Sequence, residues 1–150
     1  MKKVLILAMI LNVSCGPSGP DFDEDHAFEY LLKQCEFGPR NPSSEGYYKC
    51  LEFMLEELDK TADEIIIQEF SYQEKKYRTR HDLSNVIARY NTESEVQTII
   101  SCHWDTRPWS DSEPNRKDRD QPIIGANDGG SGVAVLLELA KIMGENPPPI

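Results

Sequence analysis

The segment from Gly132 to Met143 is the feature that most restricts how this chain can fold. In a helix, its side chains would be apolar on almost every side. The apolar residues are Val133, Ala134, Val135, Leu136, Leu137, Leu139, Ala140, Ile142 and Met143. A helix with so little polar surface is stable only when it is buried. We therefore expect this helix to lie inside the protein and to pack against a sheet.

Two further helices and four strands are predicted ahead of that helix. The stretch 37–42 separates the two helices, because its two prolines and glycine cannot continue a helix. Asn41 or Ser43 would cap the second helix, whose apolar residues recur on one face up to Lys60. Runs of β-branched and aromatic residues predict the strands. The helices are expected over 21–34 and up to residue 60, and the strands over 65–72, 77–80, 83–90 and 96–102. This order predicts an α/β fold.

The composition is that of an ordinary globular protein and argues against one class of partner. Hydrophobic residues make up 39% and charged residues 28% of the 150 residues, which suits one folded domain. The formal net charge is −10. Because an acidic chain repels the phosphate backbone, we expect no nucleic acid partner. None of the four cysteines forms a Cys-x-x-Cys pair, which excludes a structural zinc finger.

The first twenty residues have the layout of an export signal. Two lysines precede an apolar run over 4–13, which is too short to cross a bilayer of about 30 Å. The sequence Leu-Asn-Val-Ser-Cys at 11–15 looks like a bacterial lipobox, in which Cys15 would carry lipid after cleavage before it. Asn12 departs from the usual leucine. We expect an exported bacterial protein, periplasmic or membrane-anchored as a lipoprotein; the alternatives are a plain secretory signal and a buried first strand.

One pair of chemically active residues follows the last predicted strand. His103 and Asp105 are two residues apart, so in an extended chain their side chains point the same way. A carboxylate beside an imidazole fixes the tautomer of the ring and raises its basicity as a metal ligand. In open α/β sheets, sites lie at the carboxyl ends of strands, where this pair would be. A purely structural His–Asp pair is an alternative that is at least as common.

A second candidate is Asp128, the single acid in a glycine-rich segment. The sequence Ile-Gly-Ala-Asn-Asp-Gly-Gly-Ser-Gly at 124–132 leads into the buried helix. Glycine permits left-handed and closely packed backbone, so an acid held there would project into a cavity, as a metal ligand does. One alternative is a helix N-cap, for which Asp and Ser are both suitable. A phosphate-binding loop is a poor match, because no Gly-Lys-Ser/Thr follows.

Together, the two segments resemble the zinc aminopeptidase and glutaminyl cyclase superfamily. The shared order is strand, His-x-Asp, long polar loop, Gly-x-Asn-Asp-Gly-x-Ser-Gly and apolar helix, and the resemblance covers residues 25–145. The sequence Phe-Gly-Pro-Arg-Asn-Pro at 37–42 looks like the early Gly-Pro-Arg turn of the superfamily. The run His-Trp-Asp-Thr-Arg-Pro-Trp at 103–109 is most similar to bacterial glutaminyl-peptide cyclotransferases.

The resemblance implies a role for each candidate residue. Asp128 matches an acid that binds zinc in both branches of the superfamily. His103 matches a zinc ligand of the two-zinc aminopeptidases, whereas in the one-zinc cyclases that position lines the site without binding metal. Asp105 matches a catalytic acid that orients the histidine or its surroundings. His26 and His81 match no motif and are expected at the surface.

The resemblance also implies a fold and a chain organisation. The expected fold is α/β, with a mixed, largely parallel sheet between helices, as in zinc exopeptidases. The superfamily also needs a Glu-Glu pair, a further Asp and a distal His, none of which follows Asp128 in this sequence. We therefore expect the N-terminal half of a longer product. The expected organisation is a signal peptide over 1–14, a tether over 15–20 and the first part of a zinc-dependent catalytic domain over 21–150.

Three functions follow from these expectations. A one-zinc cyclase would act on N-terminal Gln peptides, form pyroglutamate and release ammonia. A two-zinc aminopeptidase would remove residues from peptide N-termini. A non-catalytic exported binding domain is the third reading. The run at 103–109 favours the cyclase, while the number of zinc ions depends on residues that this sequence does not contain.

Overall fold

A computed structural model describes residues 19–75 and 78–147. Its helices are α1 at Glu24–Glu36, α2 at Glu45–Asp59 and α3 at Ser131–Glu145, and its strands are β1 at Glu64–Glu74 and β2 at Thr79–Arg89. Short helical turns lie at Arg116–Asp118 and Ala126–Gly130. The predicted signal peptide and Cys15 lie outside the described residues. Within those residues, no helix is long and apolar enough to span a bilayer.

The start of α1 is fixed by a side-chain cap. Asp23 has an extended backbone, and its carboxylate accepts a hydrogen bond from the backbone N–H of His26 at 2.9 Å. Such a cap satisfies one of the helix N–H groups that have no partner inside the helix. The helix therefore begins at Glu24 and not at the predicted Asp21.

The start of α2 differs from both predicted caps. Ser44 is the N-cap, because its hydroxyl accepts a hydrogen bond from the backbone N–H of Tyr47 at 3.1 Å. Its backbone is extended, with φ −78° and ψ 160°, as a capping residue requires. Ser43 has a φ of 68°, in the left-handed region, and so cannot cap the helix. The predictions of Asn41 and Ser43 as caps are wrong.

The core lies where α3 packs against α1 and α2. Its buried residues are Tyr30, Cys50, Met54, Val133, Ala134 and Leu137. Burying a large apolar side chain contributes about 1.5–3 kcal/mol to stability. The predicted burial of the last helix holds in part, since Leu137 is 4% and Ala140 is 3% exposed but Val135 is 45% exposed. In the described part of the chain its partners are mainly helices and not the predicted sheet, although its first turn lies against Cys102 at Gly132.

The two strands form one long antiparallel hairpin. Their register runs from Glu64 opposite Arg89 to Glu74 opposite Thr79. The runs 77–80 and 83–90, predicted as separate strands, are therefore largely one strand, β2. Most side chains of β1 are exposed, including those of Ile66, Ile67, Phe70 and Tyr72.

The segment 96–102, predicted as a central strand, has no regular secondary structure and is not part of a sheet in the described chain. A strand needs a neighbour that accepts and donates its backbone hydrogen bonds. No described segment does this for 96–102, and Val96, Ile99 and Ile100 are 73%, 89% and 62% exposed. The strand prediction is wrong for this part of the molecule. The described residues do combine helices with a sheet, as the α/β prediction requires, but this sheet is antiparallel and has two strands.

The polar loop between the two candidate site segments is closed at its base. The backbone N–H of Ile123 donates to the carbonyl of Arg107 at 3.3 Å, and that of Ser110 donates to the carbonyl of Arg119 at 2.9 Å. The Ser110 hydroxyl also donates to the carbonyl of Gln121 at 2.9 Å. The two ends of the loop are therefore held side by side.

Candidate metal site

Trp104 determines on which side of the chain His103 and Asp105 lie. Its ring stacks on that of Tyr47 in α2, with the centroids 4.1 Å apart and the planes at 29°. Its indole N–H donates to the carbonyl of Ser84 in β2 at 3.2 Å. The Tyr47 hydroxyl accepts from the backbone N–H of Ser84 at 2.8 Å, which joins helix and strand around the indole. Because neighbouring side chains of an extended chain point to opposite sides, an inward Trp104 turns His103 and Asp105 outward.

Asp128 reaches His103 through close backbone approaches that require glycine. Gly125 has a φ of 62°, and a side chain there would collide with Thr106 and with the carbonyl of Asp128. A side chain at Gly129 would collide with the carbonyl oxygen and the ring of His103. These two glycines therefore let the loop lie directly on the His103 segment.

Asp128 does not cap the helix that follows it. It stands two residues before the N-cap position, with φ −109° and ψ 91°, and the peptide bond that joins it to Gly129 is cis. The N-cap of α3 is Gly130, without a side-chain hydrogen bond. The N-cap alternative for Asp128 is therefore wrong, and its carboxylate is left to face His103.

The structure brings the three predicted site residues together. His103 Nε2 lies 2.9 Å from Asp128 Oδ1. His103 Nδ1 lies 3.2 Å from the backbone carbonyl of Asp105 and 3.5 Å from its carboxylate Oδ1. The side chains of His103, Asp105 and Asp128 are 56%, 50% and 64% exposed. One imidazole is thus placed between two acidic residues on an exposed surface of the described residues.

Burial changes the acidity of two groups beside this cluster. It raises the pKa of Tyr47, although hydrogen bonds with Ser84 act in the opposite direction. Partial desolvation also raises the pKa of the Cys102 thiol, which packs beside Gly132 at the start of α3, although the residue as a whole is exposed. Both groups are therefore neutral near pH 7, and neither adds negative charge to the site.

The donor set suits zinc as part of a ligand shell. Zinc takes imidazole nitrogen and carboxylate oxygen at about 2.0–2.2 Å, usually with four tetrahedral ligands. Two such ligands lie roughly 3.3 Å apart, so His103 and Asp128 would need to separate by about 0.4 Å to share an ion. Within the residues that the structure describes, no three His, Cys, Asp or Glu side chains form a group that could hold a metal.

Sequence reasoning missed the residue that joins both site segments, Arg40. Its side chain is fully buried, and its guanidinium donates to the carbonyl of Trp104, next to His103, and to that of Gly125, three residues before Asp128. The available signal was an arginine within a short Gly-Pro-Arg break between two helices, where a solvent-exposed side chain would be expected.

The two histidines that match no motif take no part in the cluster. His26 Nδ1 lies 2.5 Å from a carboxylate oxygen of the buried Glu138, and His81 Nε2 lies 3.3 Å from one of Glu74. Their side chains are 31% and 21% exposed. The surface prediction therefore holds only in part, because each is half-buried against an acid.

Comparison with known proteins identifies the fold and the family that this chain resembles. A model of peptidase family M28 matches residues 85–149. The chain is similar to the glutaminyl cyclase of Bacteroides thetaiotaomicron bound to N-acetylhistamine, with 34% identity and a TM-score of 0.84 over 88% of this chain and 45% of that one. Among curated proteins, no match is significant.

Two further structures are comparably similar. The Tannerella forsythia glutaminyl cyclase has 32% identity and a TM-score of 0.84, over 87% of this chain and 45% of that one. A leucine aminopeptidase precursor from Bacteroides thetaiotaomicron has 34% identity and a TM-score of 0.83, also over 87% and 45%. The chain spans about half the length of these proteins.

The class of protein follows from these findings. The chain has the α/β fold of zinc exopeptidases, which confirms the fold class predicted from the sequence. More particularly, its resemblance to the zinc aminopeptidase and glutaminyl cyclase superfamily is confirmed, with bacterial glutaminyl cyclases and zinc exopeptidases among its structural neighbours.

Proposed function

We propose that this chain supplies part of the zinc site of a glutaminyl-peptide cyclotransferase, which converts an N-terminal glutamine to pyroglutamate and releases ammonia. The observation that carries the proposal is the 2.9 Å approach of His103 Nε2 to Asp128 Oδ1 on an accessible surface. Support comes from the structural similarity to bacterial glutaminyl cyclases. Peptides with an N-terminal glutamine would be the substrates.

Each acid of the cluster has a separate task in this proposal. Asp128 would hold the ion through its carboxylate, while His103 donates from Nε2 to Oδ1 and fixes the orientation of that carboxylate. Asp105 would flank the ring on the Nδ1 side, where an imidazole that carries its proton on Nε2 has none to donate. Bound zinc would supply Lewis-acid polarisation of the γ-amide carbonyl. The exposure of the three side chains leaves room for a peptide N-terminus to approach.

A two-zinc aminopeptidase is the second candidate, and one contact favours it. His103 Nδ1 lies 3.2 Å from the carbonyl of Asp105, so an Nδ1–H tautomer would donate there and leave the Nε2 lone pair for a cation. Histidines that bind metal commonly use the other ring nitrogen in this way. In the cyclase, the proton would instead be on Nε2 and face Asp128. A neighbour named as a leucine aminopeptidase precursor also fits this candidate.

Metal counting in the full-length protein separates the candidates. For the parent and for His103→Ala and Asp128→Asn, zinc per chain would be measured together with turnover of a Gln-peptide and of a leucine amide. We expect about one zinc in the parent and in His103→Ala, activity on the Gln-peptide, and loss of zinc in Asp128→Asn. His81→Ala serves as a control, because this histidine pairs with Glu74 and not with the cluster.

Other outcomes would overturn the proposal in distinct ways. Two zinc ions in the parent that fall to one without His103, with turnover of leucine amide, would establish the aminopeptidase. A parent that binds no zinc and turns over neither substrate would leave the exported binding domain as the surviving reading.

A further inference from the structure

Arg40 is a fully buried cation whose hydrogen bonds go to backbone carbonyls. Its Nε donates to the carbonyl of Trp104 at 3.1 Å, and its Nη1 and Nη2 donate to those of Ile124 and Gly125, each at 2.9 Å. A fourth bond, from Nη1 to the carbonyl of Gln34 at 3.4 Å, ties the guanidinium to the end of α1. One side chain thus contacts the His103 segment and the Asp128 loop at once.

The backbone of Arg40 also holds the junction between the His103 segment and the Asp128 loop. Its N–H donates to Thr106 Oγ1 at 2.9 Å, and its carbonyl accepts from the N–H of Thr106 at 3.3 Å. Thr106 is itself 4% exposed and lies against Gly125. The carbonyl of Gly125 also accepts from the N–H of Gly130 at 3.1 Å, which closes the turn that carries Asp128.

Stability alone is a weak reason for a buried guanidinium. Removing a charge from water is costly, and apolar residues of similar volume often stabilise a protein as well as or better than a buried ion pair. In the described residues, the salt bridges include none to Arg40, so carbonyl dipoles compensate its charge. What the guanidinium offers is a rigid planar fork whose donors reach three separate segments, which a lysine ammonium cannot match.

We propose that Arg40 is a positioning residue that sets the separation of His103 and Asp128. It acts through the carbonyl of Trp104, the residue next to His103, and through that of Gly125, which begins the turn leading to Asp128. The inference rests on the proposed function in that the separation matters because both side chains serve one metal site. That Arg40 links the two segments rests only on its hydrogen bonds and not on the proposed function.

The test compares three variants of the full-length protein, each measured where it is fully folded. Arg40→Lys keeps the charge but loses the planar guanidinium donors. Thr106→Val removes the side-chain acceptor of the Arg40 backbone N–H with little change of shape. Met54→Ala is the control, because it weakens the core but removes no hydrogen bond of Arg40. Zinc affinity would be measured by chelator competition, the Co²⁺ absorption spectrum would report ligand geometry, and crystal structures would give the distance from His103 Nε2 to Asp128 Oδ1.

We expect Arg40→Lys to weaken zinc binding about 10–100-fold and to alter the Co²⁺ spectrum, as loss of groups that orient metal ligands does. The distance between His103 and Asp128 should change by roughly 0.5 Å or more. Thr106→Val should show smaller shifts in the same direction and serves alone if Arg40→Lys does not fold. Met54→Ala should lower only the unfolding midpoint.

Unchanged zinc affinity and an unchanged distance in a folded Arg40→Lys, or in Thr106→Val if that variant stands alone, would overturn the inference and leave a purely structural role. A parent without zinc would instead refute the proposed function, and the crystallographic distance would still decide the role of Arg40.

Discussion

Gly129 gives the sharpest test of how the site is assembled. A methyl group added there would lie 2.8 Å from Cε1 and 2.9 Å from Nδ1 of His103, and closer still to its carbonyl oxygen. Comfortable contacts between such atoms are about 3.5–4.0 Å, so the ring of His103 must retreat by roughly 0.6 Å or more. The backbone must also shift, because a carbonyl cannot rotate away as a flexible side chain can.

The magnitude follows from the tolerance of metal sites. Asp128, the proposed zinc ligand, is joined directly to Gly129 and would move with its backbone. Ligand distances are held to about 0.2 Å, so the displacement expected in Gly129→Ala exceeds what the site absorbs. We expect zinc affinity to fall about 10–100-fold. Turnover of a Gln-peptide should fall on the order of 100-fold for a misplacement approaching 1 Å. Stability should fall by only about 1–3 kcal/mol, the usual cost of overpacking.

Chelator competition and steady-state kinetics on the full-length protein would measure these effects. Gly19→Ala is the matched control, because its added methyl group would meet no atom within 4 Å. A Gly129→Ala protein with parental zinc affinity and turnover would refute the reasoning, since it would show that His103 and Asp128 need not lie as close as the structure has them.

Two tyrosines allow further tests. Burial, with smaller effects of Glu57 and Glu138, raises the pKa of Tyr30 to about 12, whereas an unfolded tyrosine ionises near 10. The stability that the protonated Tyr30 hydroxyl contributes is present below about pH 10 and is lost as the pH rises towards 12. Between these pH values, the free energy of unfolding measured in urea should therefore fall less in Tyr30→Phe than in the parent. Tyr47→Phe should cost about 1–3 kcal/mol, because the N–H of Ser84 loses its acceptor, but should keep zinc affinity, because the ring still stacks on Trp104. A larger loss between pH 10 and 12 in the first variant, or weaker zinc binding in the second, would contradict these predictions.

The proximity of His103, Asp105 and Asp128 follows from local rules, whereas their roles remain predictions. The alternation of an extended chain puts His103 and Asp105 on one side, and glycine at two positions lets Asp128 approach them. The same kind of rule predicted that the last helix buries apolar side chains, which holds for the face that carries Val133, Leu137 and Ala140 but not for Val135. In each case the decisive information lies within a few consecutive residues.

What could not be predicted depends on partners distant in the chain. The pattern of 96–102 reports β-propensity, but no local pattern supplies the neighbouring strand that a sheet requires. Arg40 meets carbonyls that are 64 to 85 positions away in the chain, and an isolated arginine carries no periodic signal. The cap of α2 was missed by one residue, because three polar candidates stand close together and only the backbone conformation distinguishes Ser44.

Because the polar loop is closed at its base, its length can change without changing the geometry of the site. The bonds between Arg107 and Ile123 and between Ser110 and Arg119 already bring the chain back on itself before Asp128 is reached. Lengthening a loop whose ends are held costs little, about 0.6 kcal/mol for each doubling. The stretch 111–118 is therefore a suitable place for inserting an affinity tag or a reporter peptide without displacing His103 or Asp128.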